Sequence, residues 1–216
     1  MLNLWRRAVM GNQSKGLKPS EGLAFSVSNN EATLTGIGTC TDTDIVIPTT
    51  YNGYPVLYIA QSAFRGNQNI TSVIIQDGIT TIYDYAFYQC PNLNSVSIAG
   101  TVLNTGRYAF SNNISLTDVE IKEGVLETGA ASFKGDTALT EITLPASLTE
   151  VSGYTFDNCS NLSTITSLAT TPPTVGYAAF SSVNLQHIYV PAESVNVYKS
   201  ASGWSAYATK ISAIPA

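Results

Sequence analysis

Phenylalanine recurs in this chain as Phe64, Phe87, Phe110, Phe133, Phe156 and Phe180, at spacings of 23, 23, 23, 23 and 24 residues. A period in the twenties admits few folds. Each period is one supersecondary unit that cannot bury its apolar face alone, so neighbouring units must stack to complete a core. The register extends beyond the rings. Ile70, Leu93, Leu116, Leu139 and Leu162 stand six residues after the first five phenylalanines, and Val73, Val96, Val119, Ile142 and Ile165 stand nine after. A small residue precedes each ring: Ala63, Ala86, Ala109, Ser132, Thr155 and Ala179. The period stretches where Thr170, Thr171, Pro172 and Pro173 intervene, and the repeats occupy residues 45–190.

Each unit carries one alternating segment, as in Asp118-Val119-Glu120-Ile121 and Glu141-Ile142-Thr143-Leu144. Alternation rich in β-branched residues predicts a short strand with one buried face. A strand that recurs once per coil in the same direction must stack as a parallel ladder with rungs about 4.8 Å apart. The fold class expected is therefore a β-rich solenoid of six rungs and two ends. Both ends have legible caps. Leu23, Phe25 and Val27, then Ala32 and Leu34, alternate on either side of Asn29-Asn30, which predicts an N-terminal β-hairpin over residues 21–44. Pro191, Glu193, Val195 and Tyr198 predict a short helix in a C-terminal cap over residues 191–216, with Trp204, Tyr207 and Ile211 closing the core.

The segment Ala86-Phe87-Tyr88-Gln89-Cys90-Pro91-Asn92-Leu93, its counterpart Phe156 to Leu162, and Ile142-Thr143-Leu144-Pro145 resemble the BspA-like leucine-rich repeats. So do Gly36 to Pro48 at one end and Tyr189 to Trp204 at the other, so that the resemblance spans about residues 30–210. It implies a right-handed leucine-rich-repeat superhelix and surface-exposed proteins that contact other cells or host macromolecules. Similar repeats also occur in phage structural proteins. The chain departs from the pattern at Asn67, Asn113 and Asp136, which replace the cysteine, and at Thr105 and Thr128, which replace the isoleucine.

The composition narrows the partners. Only 12% of residues are charged, with a net charge of −5, and the ten basic residues are scattered, which argues against nucleic acid. Twelve tyrosines among many Ser, Thr and Asn residues match the surface chemistry of binding proteins. Residues 1–20 differ in kind: Met1 to Met10 mixes apolar residues with Arg6 and Arg7, and a polar run follows. The segment lacks the apolar core of a secretory signal, and the chain has no transmembrane stretch. It is expected to be a flexible leader or a peptide that docks the module on a larger assembly. The run Gly11 to Gly16 begins like a phosphate loop, but Leu17 stands where the lysine belongs.

Catalytic chemistry is poorly represented. Cys40, Cys90 and Cys159 are widely spaced with no C-x-x-C, so neither a zinc site nor a disulfide framework is expected. His187 is the single histidine, which leaves Cys159 as its one conceivable nucleophilic partner, and Cys159 occupies a repeat position. No catalytic residue, metal or cofactor is assigned. What remains is surface. Alternation places Asp44, Ser72, Ser95, Asp118, Glu141, Thr164 and His187 in one outward column, and Val46, Ile74, Ser97, Glu120, Thr143, Thr166 and Tyr189 in another. Asp118, Glu120 and Glu141 form an acidic patch expected to contact a cationic or polyhydroxyl ligand, or a calcium ion. Tyr85, Tyr108 and Tyr154 form a second candidate column. The expected function is a non-enzymatic binding or adhesion module for a protein or glycan, extracellular on a bacterial surface. The alternative is a virion component, a fibre, decoration or receptor-binding protein, docked through residues 1–20.

Overall fold

The structure is a computed structural model that describes residues 17–215; the leader and the near-miss phosphate loop fall largely outside them. An antiparallel hairpin opens the fold, β1 (Ala24–Ser28) and β2 (Glu31–Gly36), turning through Asn29 and Asn30 at φ 53° and 63°. Asparagine tolerates the left-handed region this tight turn requires.

The coils that follow have three walls. The first is the predicted ladder, built from β3 (Asp44–Val46), β6 (Ser72–Ile74), β8 (Ser95–Ile98), β10 (Asp118–Ile121), β11 (Glu141–Leu144), β13 (Thr164–Ser167), β15 (His187–Val190) and β16 (Ile211–Ala213). Their inward residues, among them Ile45, Val73, Val96, Val119, Ile142, Ile165 and Ile188, are buried. The ladder is not continuous. It forms two four-stranded parallel sheets, β10-β8-β6-β3 and β11-β13-β15-β16, with no strand pairing between β10 and β11. Within the sheets Asp118 lies opposite Ser95, Glu120 opposite Ser97 and Glu141 opposite Thr164, so every acid meets a hydroxyl. The repeat register would set Asp118 against Glu141 at the interruption, and directly opposed like charges disfavour a pair.

The second wall holds β5 (Tyr54–Ile59), β7 (Thr81–Ile82) and β9 (Asn104–Thr105), which continue from β2 in parallel, then β12 (Glu150–Val151) paired with β14 (Thr174–Val175). β4 (Thr50–Tyr51) folds back on β5. Thr105 and Thr128 are buried here, and their hydroxyls take up bonds from the next coil. Thr105 Oγ1 accepts the Gly129 N–H at 2.9 Å and Thr128 Oγ1 accepts the Ser152 N–H at 3.0 Å. The two departures from isoleucine thus exchange apolar burial for satisfied backbone donors.

The third wall is a turn that carries the rings. Phe64, Phe87, Phe110, Phe133 and Phe156 are buried and stack face to face, with centroids 4.9, 5.2, 5.4 and 5.7 Å apart and planes within 8°. Phe180 continues the stack at 6.0 Å, and Trp204 tilts over it at 5.5 Å. The backbone follows the same step: Phe64 N–H donates to Ala86 O, Phe87 to Ala109, Phe110 to Ser132, Phe133 to Thr155 and Phe156 to Ala179.

At the C-terminal end a 3-10 turn (Ala192–Ser194), α1 (Val195–Ser200) and a second 3-10 stretch (Ser205–Lys210) bury Tyr198 and Trp204 against the last coil. Trp204 Nε1 donates to Pro173 O at 2.8 Å, and the Tyr198 hydroxyl bonds Ser167 Oγ at 2.7 Å. Two cap residues belong to the ladder itself. Ile211 pairs with Ile188 in β16, and Ser20, grouped by composition with the leader, donates its N–H to Val46 O at 2.9 Å and accepts the Val46 N–H on its hydroxyl at 3.1 Å.

Candidate ligand-binding face

The ladder's outward columns are less uniform than alternation implies. Ser72, Ile74, Ser95 and Ser97 are buried, so the expectation of an open face along the whole ladder is corrected at β6 and β8. Two acids accept hydroxyl bonds across rungs: Asp44 Oδ1 from Ser72 at 2.6 Å and Glu120 Oε2 from Ser97 at 2.5 Å. Asp118 and Glu120 are half-buried on β10, and Glu141 is exposed on β11. The three carboxylates therefore lie on the two strands that flank the interruption, and the patch straddles the seam between the sheets.

The tyrosine column lies on the turn wall. Tyr85 and Tyr108 stack at 5.2 Å with planes 4° apart, and Tyr154 meets Tyr177 edge to face at 5.5 Å. Each coil sets this position in the left-handed region, with φ 60° at Tyr85, 55° at Tyr108 and 59° at Tyr154. Bulky side chains rarely adopt that conformation. Ser62, Ala131 and Ala178 adopt it too, so the turn of the coil imposes it rather than the aromatic ring. Cations cover part of the column: the Arg65 guanidinium lies 5.8 and 5.4 Å from the Tyr85 and Tyr88 centroids, and Lys134 Nζ lies 5.5 Å from that of Tyr154. Lys134 also pairs with Asp157 at 2.8 Å. Bracing of one coil against the next accounts for Tyr85 and Tyr108, whereas Tyr154 and Tyr177 are exposed.

The cysteine position is structural. The Cys90 thiol donates to Phe64 O at 3.1 Å, the Cys90 N–H donates to Asn113 Oδ1 at 2.8 Å, and the Asn113 N–H donates to Asp136 Oδ1 at 2.8 Å. Cys, Asn and Asp are interchangeable here because each is a short polar side chain in reach of a backbone group: the thiols donate to a carbonyl of the preceding coil, Asn113 and Asp136 accept an N–H from it, and Asn67 accepts those of Asn69 and Ile70 in its own turn. Sequence showed that these residues share a position but gave no sign of the hydrogen-bond chain. Burial pushes the Cys90 thiol up to about 12 and raises that of Cys159 as well. Cys159 Sγ donates to Phe133 O at 3.0 Å inside the core, whereas His187 is exposed on β15 against Tyr189. The structure does not join them as a nucleophile and base. Among the described residues no group of three or more His, Cys, Asp and Glu side chains is placed to hold a metal ion, and no helix is long and apolar enough to cross a membrane.

The sequence matches the BspA type leucine rich repeat region, in six copies, over residues 39–163 and 127–202. Among solved structures, the T. pallidum leucine rich repeat protein superposes with a TM-score of 0.67 at 18% identity, over 77% of this chain and 89% of its own. A leucine rich cell surface protein of Faecalibacterium prausnitzii A2-165 gives 0.65 at 30% identity over 83% of this chain. This chain spans half the length of that protein, at 50%. A leucine-rich repeat protein of Eubacterium ventriosum gives 0.53 at 21% identity, over 74% of this chain and 50% of its own. No curated protein matches the chain.

Proposed function

The chain belongs to the BspA-type leucine-rich repeat family, and from that premise we propose that it is a non-catalytic adhesion module, displayed outside the cell, that meets a protein or glycan on another surface through its ladder. The observation that carries this reading is the placement of Asp118, Glu120 and Glu141 on the two strands flanking the seam in the ladder. Carboxylates on neighbouring strands repel one another in the free protein, so a cationic or polyhydroxyl ligand gains by screening them. The surface location is supported by the F. prausnitzii cell surface protein, similar to this chain at 30% identity.

The test is capture of a partner from cell-surface extracts by the full chain and by a variant carrying Asp118→Asn and Glu141→Gln, which keep shape and remove charge. The affinity of the captured partner is expected to fall about tenfold or more in the variant. Unchanged affinity, combined with weakening by Tyr108→Asn and Tyr154→Asn, moves recognition to the turn wall and overturns the ladder reading.

A further inference from the structure

We propose that the chain has a second binding site, for an uncharged saccharide, in a groove of about 470 Å³ lined by Gly66, Gln68, Gln89, Pro91, Asn112 and Ile114. The groove lies at the corner after the turn wall and goes beyond the ladder reading, with which it shares no residue. Its size falls within the range of small-molecule sites.

Three observations define the ligand. The lining holds no charged side chain, and the neighbouring Arg65 is laid over the rings of Tyr85 and Tyr88. That favours an uncharged ligand. The backbone donors of the column are already committed, Gly66 N–H to Tyr88 O, Gln89 to Ser111 O and Asn112 to Lys134 O, at 2.8 to 3.0 Å. An extended peptide that recognises its site by strand pairing therefore finds no free N–H along that column, the N–H groups of Gln68 and Ile114 lying in the other. What the groove does offer is carboxamide: Gln68 and Asn112 donate to Gly66 O and Ser111 Oγ and present their oxygens as acceptors, while Gln89 presents a donor and an acceptor in one plane, which suits the paired hydroxyls of a sugar. Gln89 is exposed and its carboxamide has no hydrogen bond among the described residues. Pro91 and Ile114, the latter 59% exposed, supply an apolar surface for the C–H face of a pyranose.

Glycines shape both ends. A Cβ at Gly66 would meet nothing within 4 Å, so its absence leaves the groove open beside Gln89. A Cβ at Gly135 would stand 2.4 Å from Asn112 Oδ1, so glycine there allows the Asn112 side chain to lie across the next coil and close the far end.

The experiment titrates the full chain with neutral oligosaccharides of glucose, mannose and galactose, followed by calorimetry. Gln89→Gly removes the carboxamide at a position whose φ of 56° glycine adopts freely, and Ile114→Ser removes the apolar wall. At least one oligosaccharide is expected to bind, and each variant to weaken it about tenfold while melting with the parent. The Asp118→Asn, Glu141→Gln variant is expected to bind the sugar as the parent does, which separates failure of this proposal from failure of the ladder reading. No binding up to ~10 mM of any of these sugars, full binding by both variants, or a preference for sialylated over neutral sugars overturns it. So does a peptide ligand whose binding Gln89→Gly abolishes when no sugar binds.

Discussion

Two buried columns run side by side through the solenoid, and they obey different rules. At the ring position every coil has phenylalanine, because each ring is packed between the rings before and after it, 4.9 to 6.0 Å away. At the neighbouring polar position the coils have Asn67, Cys90, Asn113, Asp136 and Cys159. The ring column demands one shape repeated. The polar column demands only a short side chain that meets a buried backbone group: Asn113 and Asp136 accept the N–H of the coil before, Cys90 and Cys159 donate to its ring-position carbonyl, and Asn67 accepts within its own turn.

The largest expected effect breaks the ring column. Phe133→Ala removes a fully buried ring between two stacked neighbours, and the coils cannot close on the void, so stability should fall by about 3 to 5 kcal/mol in denaturant melts. A loss below about 1 kcal/mol would show that the stack does not hold the coils together. Next in size, Asn113→Leu keeps the bulk but removes the acceptor of the Cys90 N–H, leaving a buried donor unpaired at a cost of about 1 to 3 kcal/mol. Asn113→Asp, which retains an acceptor, should restore most of the Cys90 bond, although it introduces a second acid beside Asp136. If both variants melt together, the acceptor is not what the position requires.

Asp136 is the member of the polar column that fits it least. Its Oδ1 accepts the Asn113 N–H, but Oδ2 is buried without a partner, and burial holds its carboxyl well above the usual value of 3.8. A folded pKa above the unfolded one means that the native state binds the extra proton, so this group's contribution is greatest below pH 3.8 and is lost as pH rises through the folded value. Asp136→Asn keeps the acceptor and provides an amide that can donate, as Asn113 Nδ2 does to Phe110 O. It should raise stability modestly at neutral pH and cancel this fall, as urea melts of both proteins from pH 4 to pH 8 would show. A stability difference that stays constant across that range would exclude a protonated Asp136.

The ring column was legible in the sequence because identical residues at a fixed spacing have one physical explanation. The polar column was legible as a shared position, but its role depends on which backbone group of the preceding coil lies against it, and spacing does not carry that. Ile211 stands 23 residues after Ile188, so the register itself carries the last strand; the intervening Pro191 and the helix-forming residues after it mask that signal with the pattern of a cap. At the candidate site, alternation sorted Asp118, Glu120 and Glu141 onto the ladder's outward columns but could not show that pairing lapses between their strands. The groove is not legible in the sequence because its carboxamides come from two columns, with Gln89 and Asn112 in one and Gln68 in the other.

The backbone bonds that join coils along the turn wall run one way: each coil's N–H at the ring position donates to the coil that follows. At the last coil the N–H of Phe180 therefore has no following turn to meet and finds no partner among the described residues. Peptide units aligned in this sense add rather than cancel, which gives the stack an electrical head and tail. The partially positive end is the C-terminal one, and any addition to the stack, whether an inserted coil or a neighbouring chain, can join it in one orientation and not the other.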